Sequence, residues 1–114
     1  MNNEERTAGA ERPTTPAGLL REAANLIEAH GWLQGGYGSK HIGLCAVGAI
    51  RCAAGALGPD HPAFLNAIDA LTWATGLPRT YNIPDWNDAA SRTKDEVVDA
   101  LRRAAEQCEI SGAS

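Results

Sequence analysis

Apolar residues recur at helical spacing in three stretches of the chain, and in a fourth they crowd until no polar face is left. In residues 16–30, Leu20, Ala23, Ala24 and Ile27 follow the 3, 1, 3 spacing of a buried stripe, with Arg21, Glu22, Asn25 and Glu28 between them. Thr15 suits the N-cap, Pro16 the first turn and Gly31 the stop. A second helix is expected over 44–57, where Arg51 is the sole charge among small and apolar residues. A helix with so little polar surface belongs inside, so it is expected to be the central element around which the others pack. At 100° per residue Gly48 and Gly55 share a strip with Arg51, an opening for close approach of a neighbouring backbone. The third helix begins near Asp60, with Phe64, Leu65, Ile68, Leu71 and finally Trp73 on its buried side and Gly76 as its stop. The last opens on the capping box Thr93–Glu96 and carries the stripe Val97, Leu101, Ala104, Ala105 and Cys108.

Two long segments lack any period. Residues 31–42 are too rich in glycine for a stable strand or helix, and Trp32 and Tyr37 are their natural anchors. Residues 77–92 contain Pro78, Asn82 and Pro84, and read as a loop of the length that is usually functional or tightly packed. The fold class is therefore all-α: a compact four-helix domain over 14–109 with a buried central helix and two long loops. It is flanked by a disordered arm, 1–13, and a disordered tail, 110–114.

Charge narrows the partners. With 114 residues and a formal net charge of −4, the chain lacks the basic surface of a nucleic-acid or anionic-membrane binder. Residues 31–58 hold Lys40 and Arg51 and no acid, whereas 59–89 hold Asp60, Asp69, Asp85 and Asp88 against Arg79 alone. Two such segments in one small domain are expected to face each other, which pairs Arg51 with Asp85 or Asp88. No apolar stretch approaches 20 residues, no signal peptide is apparent, and three cysteines give no disulfide framework; the expected compartment is the cytoplasm, with reduced thiols.

Two clusters carry candidate chemistry. Cys45 falls near the start of the second helix, where dipole and free amides favour a thiolate, and His41 precedes it by four residues. With Asp88 or Asn87 to orient the histidine, these would form a thiol catalyst; against that, cysteine in an apolar run is more often core. The second cluster is Asp85-Trp86-Asn87-Asp88, a tryptophan between carboxylates in a long loop. With Trp32 and Tyr37 it forms a binding surface if Trp86 is partly exposed; alternatively Trp86 plugs the end of the bundle and Asn87 and Asp88 serve the local backbone. His30, His41 and His61 lack metal-ligand spacing, the glycine loop lacks the phosphate-binding pattern, and neither metal nor cofactor is expected.

The ordered set Leu26-Ile27-Glu28 to Gly31-Trp32-x-Gln34-Gly35, then Cys45-Ala46-Val47-Gly48-Ala49-Ile50, then Asp85-Trp86-Asn87-Asp88 and Arg92-Thr93 entering a helix, resembles the DUF6197 family over about residues 19–105. The resemblance implies a shared fold and an origin in actinobacteria or their phages, and it supplies no reaction. Together these readings favour a small non-enzymatic interaction or regulatory module acting through the aromatic and acidic loops, a phage-encoded inhibitor being one variant. Its partner is a protein or a small-molecule ligand, and self-association stays open. The alternative is a small biosynthetic or hydrolytic enzyme using Cys45 with His41 and Asp88 or Asn87.

Overall fold

A computed structural model describes residues 13–58, 60–76 and 82–110. The expected arm therefore lies outside the described residues except for Pro13, and so does the expected tail beyond Ile110. The fold is all-α. In chain order the elements are α1 (Pro16–His30), β1 (Gly38–Ser39), β2 (Gly43–Leu44), α2 (Ala46–Ala54), α3 (Pro62–Thr75), α4 (Ile83–Asn87) and α5 (Lys94–Ile110). None of these helices is long and apolar enough to cross a membrane.

The two amphipathic stripes form as expected. Thr15 Oγ1 accepts from the Gly18 N–H at 3.1 Å, Pro16 opens α1, and Gly31 ends it at φ 102°. Leu20, Ala23, Ala24 and Ile27 are fully buried, joined by Leu19. In α5 the Thr93 N–H donates to Glu96 Oε1 at 3.0 Å and the Glu96 N–H to Thr93 Oγ1 at 3.2 Å, a complete capping box. Val97, Leu101, Ala104, Ala105 and Cys108 line its buried side. These stripes meet along the length of both helices, and exposed pairs of Glu28 with Lys94 and Arg102 flank the seam.

The second helix is buried as expected, though shorter: six of the nine residues of α2 are buried and Arg51 alone is exposed. It packs against α1, α3, α4 and the two strands, while α1 packs against α5, α2 and α3 and shares the centre with it. Leu44 belongs to β2, Cys45 is the N-cap, and Gly55 ends the helix at φ 58° in an exposed position. Arg51 is exposed too. Its guanidinium lies over the Tyr37 ring, and among the described residues no carboxylate pairs with it, so the pairing expected with Asp85 or Asp88 does not form. Cys52, on the same helix, is only partly buried.

The third helix turns differently from its expected face. Its cap is His61, whose Nδ1 accepts from the Ala63 N–H at 3.1 Å. Phe64, Ala67 and Leu71 are buried, while Leu65 is 50% and Trp73 60% exposed. Gly76 closes it in the left-handed conformation, φ 74°.

Gly48 shows why the glycine-rich segment can lie where it does. That segment is not wholly irregular: β1 and β2 pair antiparallel, Gly38 with Leu44 and Ser39 with Gly43, and Trp32 bridges to Leu44. The Cys45 N–H donates to the Tyr37 carbonyl at 3.1 Å, pressing that backbone onto α2. A Cβ at position 48 would lie 2.0 Å from the Tyr37 carbonyl oxygen. The close approach expected at Gly48 is real, and the neighbour is loop backbone. In a helix interior Gly→Ala ordinarily stabilises by up to about 1 kcal/mol. Here Gly48→Ala should instead destabilise by about 1–3 kcal/mol, read as a lower melting temperature; an unchanged or raised value would remove the contact.

Candidate functional site

Asn82 starts the short helix in the segment expected to be a loop. Its Oδ1 accepts from the Asp85 N–H at 2.8 Å, and Pro84 supplies the first-turn geometry. One turn then places Ile83, Trp86 and Asn87 on one face, and all three are buried. Trp86 is 4% exposed, so the reading that displays it at the surface fails and the alternative, an enclosed core residue, holds. A ring of that size gains more from enclosure than a loop gains from displaying it. Arg92 holds it from outside: the guanidinium lies 4.6 Å from the ring centroid, and Nε donates to the Trp86 carbonyl at 3.0 Å.

Asn87 is fully buried, and its carboxamide uses all four hydrogen-bonding positions. Oδ1 accepts from Trp32 Nε1 at 2.8 Å and from the Ala46 N–H, at the free N-terminus of α2, at 3.0 Å. Nδ2 donates to the Leu33 carbonyl at 2.9 Å and to Asp88 Oδ1 at 3.0 Å. Gln34 Nε2 reaches the carbonyls of Asn87 and Ala89, and the Gly35 N–H donates to Asp88 Oδ1 at 2.9 Å. The backbone bond from Gly35, then that from Asn87, holds the Asp88 carboxyl below the usual aspartate range. Trp32, Asn87 and Asp88 thus come together, but as a clasp between α4, α2 and the glycine-rich segment. Asp85 stays exposed beside it.

The thiol cluster comes together only in part. Cys45 and Asp88 both line a hollow of about 180 Å³ with Gly35, Gly36, Tyr37 and Pro84. His41 does not line it; it sits exposed in the turn between β1 and β2. Cys45 Sγ accepts from the Gly48 N–H at 3.3 Å, yet burial pushes the thiol up, and the Asp88 charge adds to that. The Cys45 thiol thus serves as the cap of α2, and among the described residues no histidine lines the hollow beside it.

A larger opening lies elsewhere. A trough of about 650 Å³ runs between α2, α3 and α4, lined by Val47, Phe64, Ile68 and Ile83, with Tyr37 and Arg51 at its rim. Tyr37, 54% exposed, and Pro84 form the sill between the trough and the Cys45 hollow. Sequence reasoning singles out Tyr37 and misses the rest. It gives Arg51 to an ion pair and Leu65 to the core, whereas both line the trough.

Fold and clasp define a class: a small α-helical domain in which a buried Trp-Asn pair from one short turn locks a glycine-rich segment onto a helix start. The chain belongs to the DUF6197 family, described as a family of unknown function, whose model matches residues 11–107. No curated protein and no solved structure matches it.

Two outcomes follow from this geometry. Asn87→Ala leaves the Trp32 indole N–H, the Ala46 N–H and the Leu33 carbonyl without their partner and should cost about 2–4 kcal/mol in chemical denaturation, whereas exposed Asp85→Ala in the same motif should stay within about 0.5 kcal/mol. Equal effects would dissolve the clasp. In the native protein at neutral pH a small thiol reagent, mapped by mass spectrometry, should label Cys52 first and reach Cys45 and Cys108 only through transient opening. A Cys45 that reacts as quickly as an unhindered thiol would mean that an accessible thiolate is present after all.

Proposed function

We propose that this protein is a small non-enzymatic binding module whose ligand face is the trough between α2, α3 and α4. One observation carries the reading: an opening of about 650 Å³ with a largely apolar lining and the exposed Tyr37, Arg51 and Leu65 around it. Openings of that size, mostly apolar with a few polar groups converging on them, are where small ligands and peptide side chains bind. The aromatic and acidic loop keeps a part in this reading, but an indirect one: its buried clasp positions Tyr37 and Pro84, and its acids do not themselves meet the ligand. An odd number of cysteines with no disulfide framework suits a reducing compartment, the cytoplasm, and the alanine- and glycine-rich, lysine-poor composition suits the GC-rich genomes of actinobacteria and their phages.

The test is a screen of mixed fragments and short peptides by ligand-observed NMR, followed by amide shift mapping of the hits. Hits are expected to move the resonances of Val47 and Ile68, to compete with one another, and to be lost in Leu65→Glu, an exposed substitution that leaves the fold intact. Hits that map to another face, or that bind Leu65→Glu unchanged, would overturn the assignment.

A further inference from the structure

Arg51 decides what the trough accepts. It projects from the middle of α2, and its guanidinium carbon sits 5.6 Å from the centroid of the Tyr37 ring. A ring face offsets part of a cation's charge but accepts none of the fork's five N–H donors in the plane where they point. Among the described residues no oxygen takes them. The side chain is thus a charged donor set held at the rim of an apolar cavity, and a planar carboxylate is the group whose two oxygens match that fork.

The other polar groups of the trough limit the ligand further. Asp69 and Thr72, three residues apart on one face of α3, both line it. The Thr72 O–H already donates to the Ile68 carbonyl at 2.9 Å, so it has no proton to offer an anion, and the Asp69 carboxylate is the charged feature of that wall. A second negative group on the ligand would meet Asp69, and among the described residues no other cation lines the trough to hold it. Between the two charged positions the surface is Val47, Phe64, Ile68 and Ile83, which asks for an apolar body.

We infer that the trough binds a small monoanionic carboxylate with an apolar body, the carboxylate paired on Arg51 beside Tyr37 and the body laid over Val47, Phe64, Ile68 and Ile83. The inference rests on the reading of the trough as the ligand face. It is tested with octanoate and 4-phenylbutyrate as probes, against the matched alcohols 1-octanol and 4-phenylbutanol and the dianion octanedioate. Each is titrated into the full chain and followed by calorimetry and amide shifts.

Both carboxylates should move the amides of Val47, Arg51 and Ile68 and should bind about tenfold or more tighter than their alcohols and than octanedioate. Arg51→Gln, an exposed change on α2, should erase that preference and leave the alcohols unaffected. If carboxylates and alcohols bind the trough equally, or Arg51→Gln keeps the preference, the carboxylate assignment fails while the ligand face stands. If octanedioate equals octanoate, the role given to Asp69 fails and with it the restriction to a monoanion. If no probe moves the trough residues, this inference falls, and the screen of fragments and peptides then decides separately whether the ligand face survives.

Discussion

A single buried carboxamide holds three parts of this domain in register. Asn87 is fully enclosed, and its four hydrogen bonds run to the indole of Trp32, the first amide of α2, the carbonyl of Leu33 and the carboxylate of Asp88. Each such bond contributes only about 1 kcal/mol net, yet each partner left unpaired in the interior costs about 1–3 kcal/mol. That asymmetry makes the arrangement close to all-or-none. Residues 32–35, the start of α2 and the turn of α4 must arrive together, because any one of them missing leaves buried polar groups on the other two. The glycine-rich segment has few side chains with which to hold itself, and this network supplies the fixed points it lacks.

The same network draws on the motifs that carry the resemblance to the family. Gly31-Trp32-x-Gln34-Gly35, Cys45 to Ile50, Asp85-Trp86-Asn87-Asp88 and Arg92 are far apart in sequence, and residues from each meet at one place, although Asp85 stays exposed beside it. Gln34 ties down two carbonyls, Gly35 offers its amide to Asp88, Cys45 caps α2, and Arg92 covers Trp86. Arg51, Leu65 and Asp69, which frame the proposed ligand face, take no part in these bonds.

What the sequence discloses follows the physics of each element. The stripes of α1 and α5, the caps at Thr15 and Thr93 and the stop at Gly76 are local signals, and local signals survive into the structure. The errors arise where tertiary contacts decide. The second helix is enclosed as its composition implies, but it stops at Ala54, where Gly55 turns the chain at φ 58°, short of the expected end at 57. Trp86 reads either as a displayed aromatic or as a plug for the bundle until Ile83, Trp86 and Asn87 are seen at helical spacing behind Asn82 and Pro84. That signal is present in the chain and too short to stand out against the surrounding turn residues. Pairing Arg51 with an acid assumes that it is buried, and an exposed arginine needs no such partner.

Tyr37 connects the two halves of the molecule. Its carbonyl accepts from the Cys45 amide and lies where any side chain at position 48 would collide, so its backbone is held on the clasp side. Its ring stands more than half exposed on the other side, under the Arg51 guanidinium and at the lip of the trough. Aromatic and arginine side chains bind well when little freedom is lost on contact, because ordering a long side chain costs about 0.5–1.5 kcal/mol. Here the ring is positioned by a backbone that α2 and Asn87 already fix, and the guanidinium rests on that ring before any ligand arrives. An interior built on polar bonds thereby gives the proposed surface site a framework that an isolated glycine-rich loop could not provide.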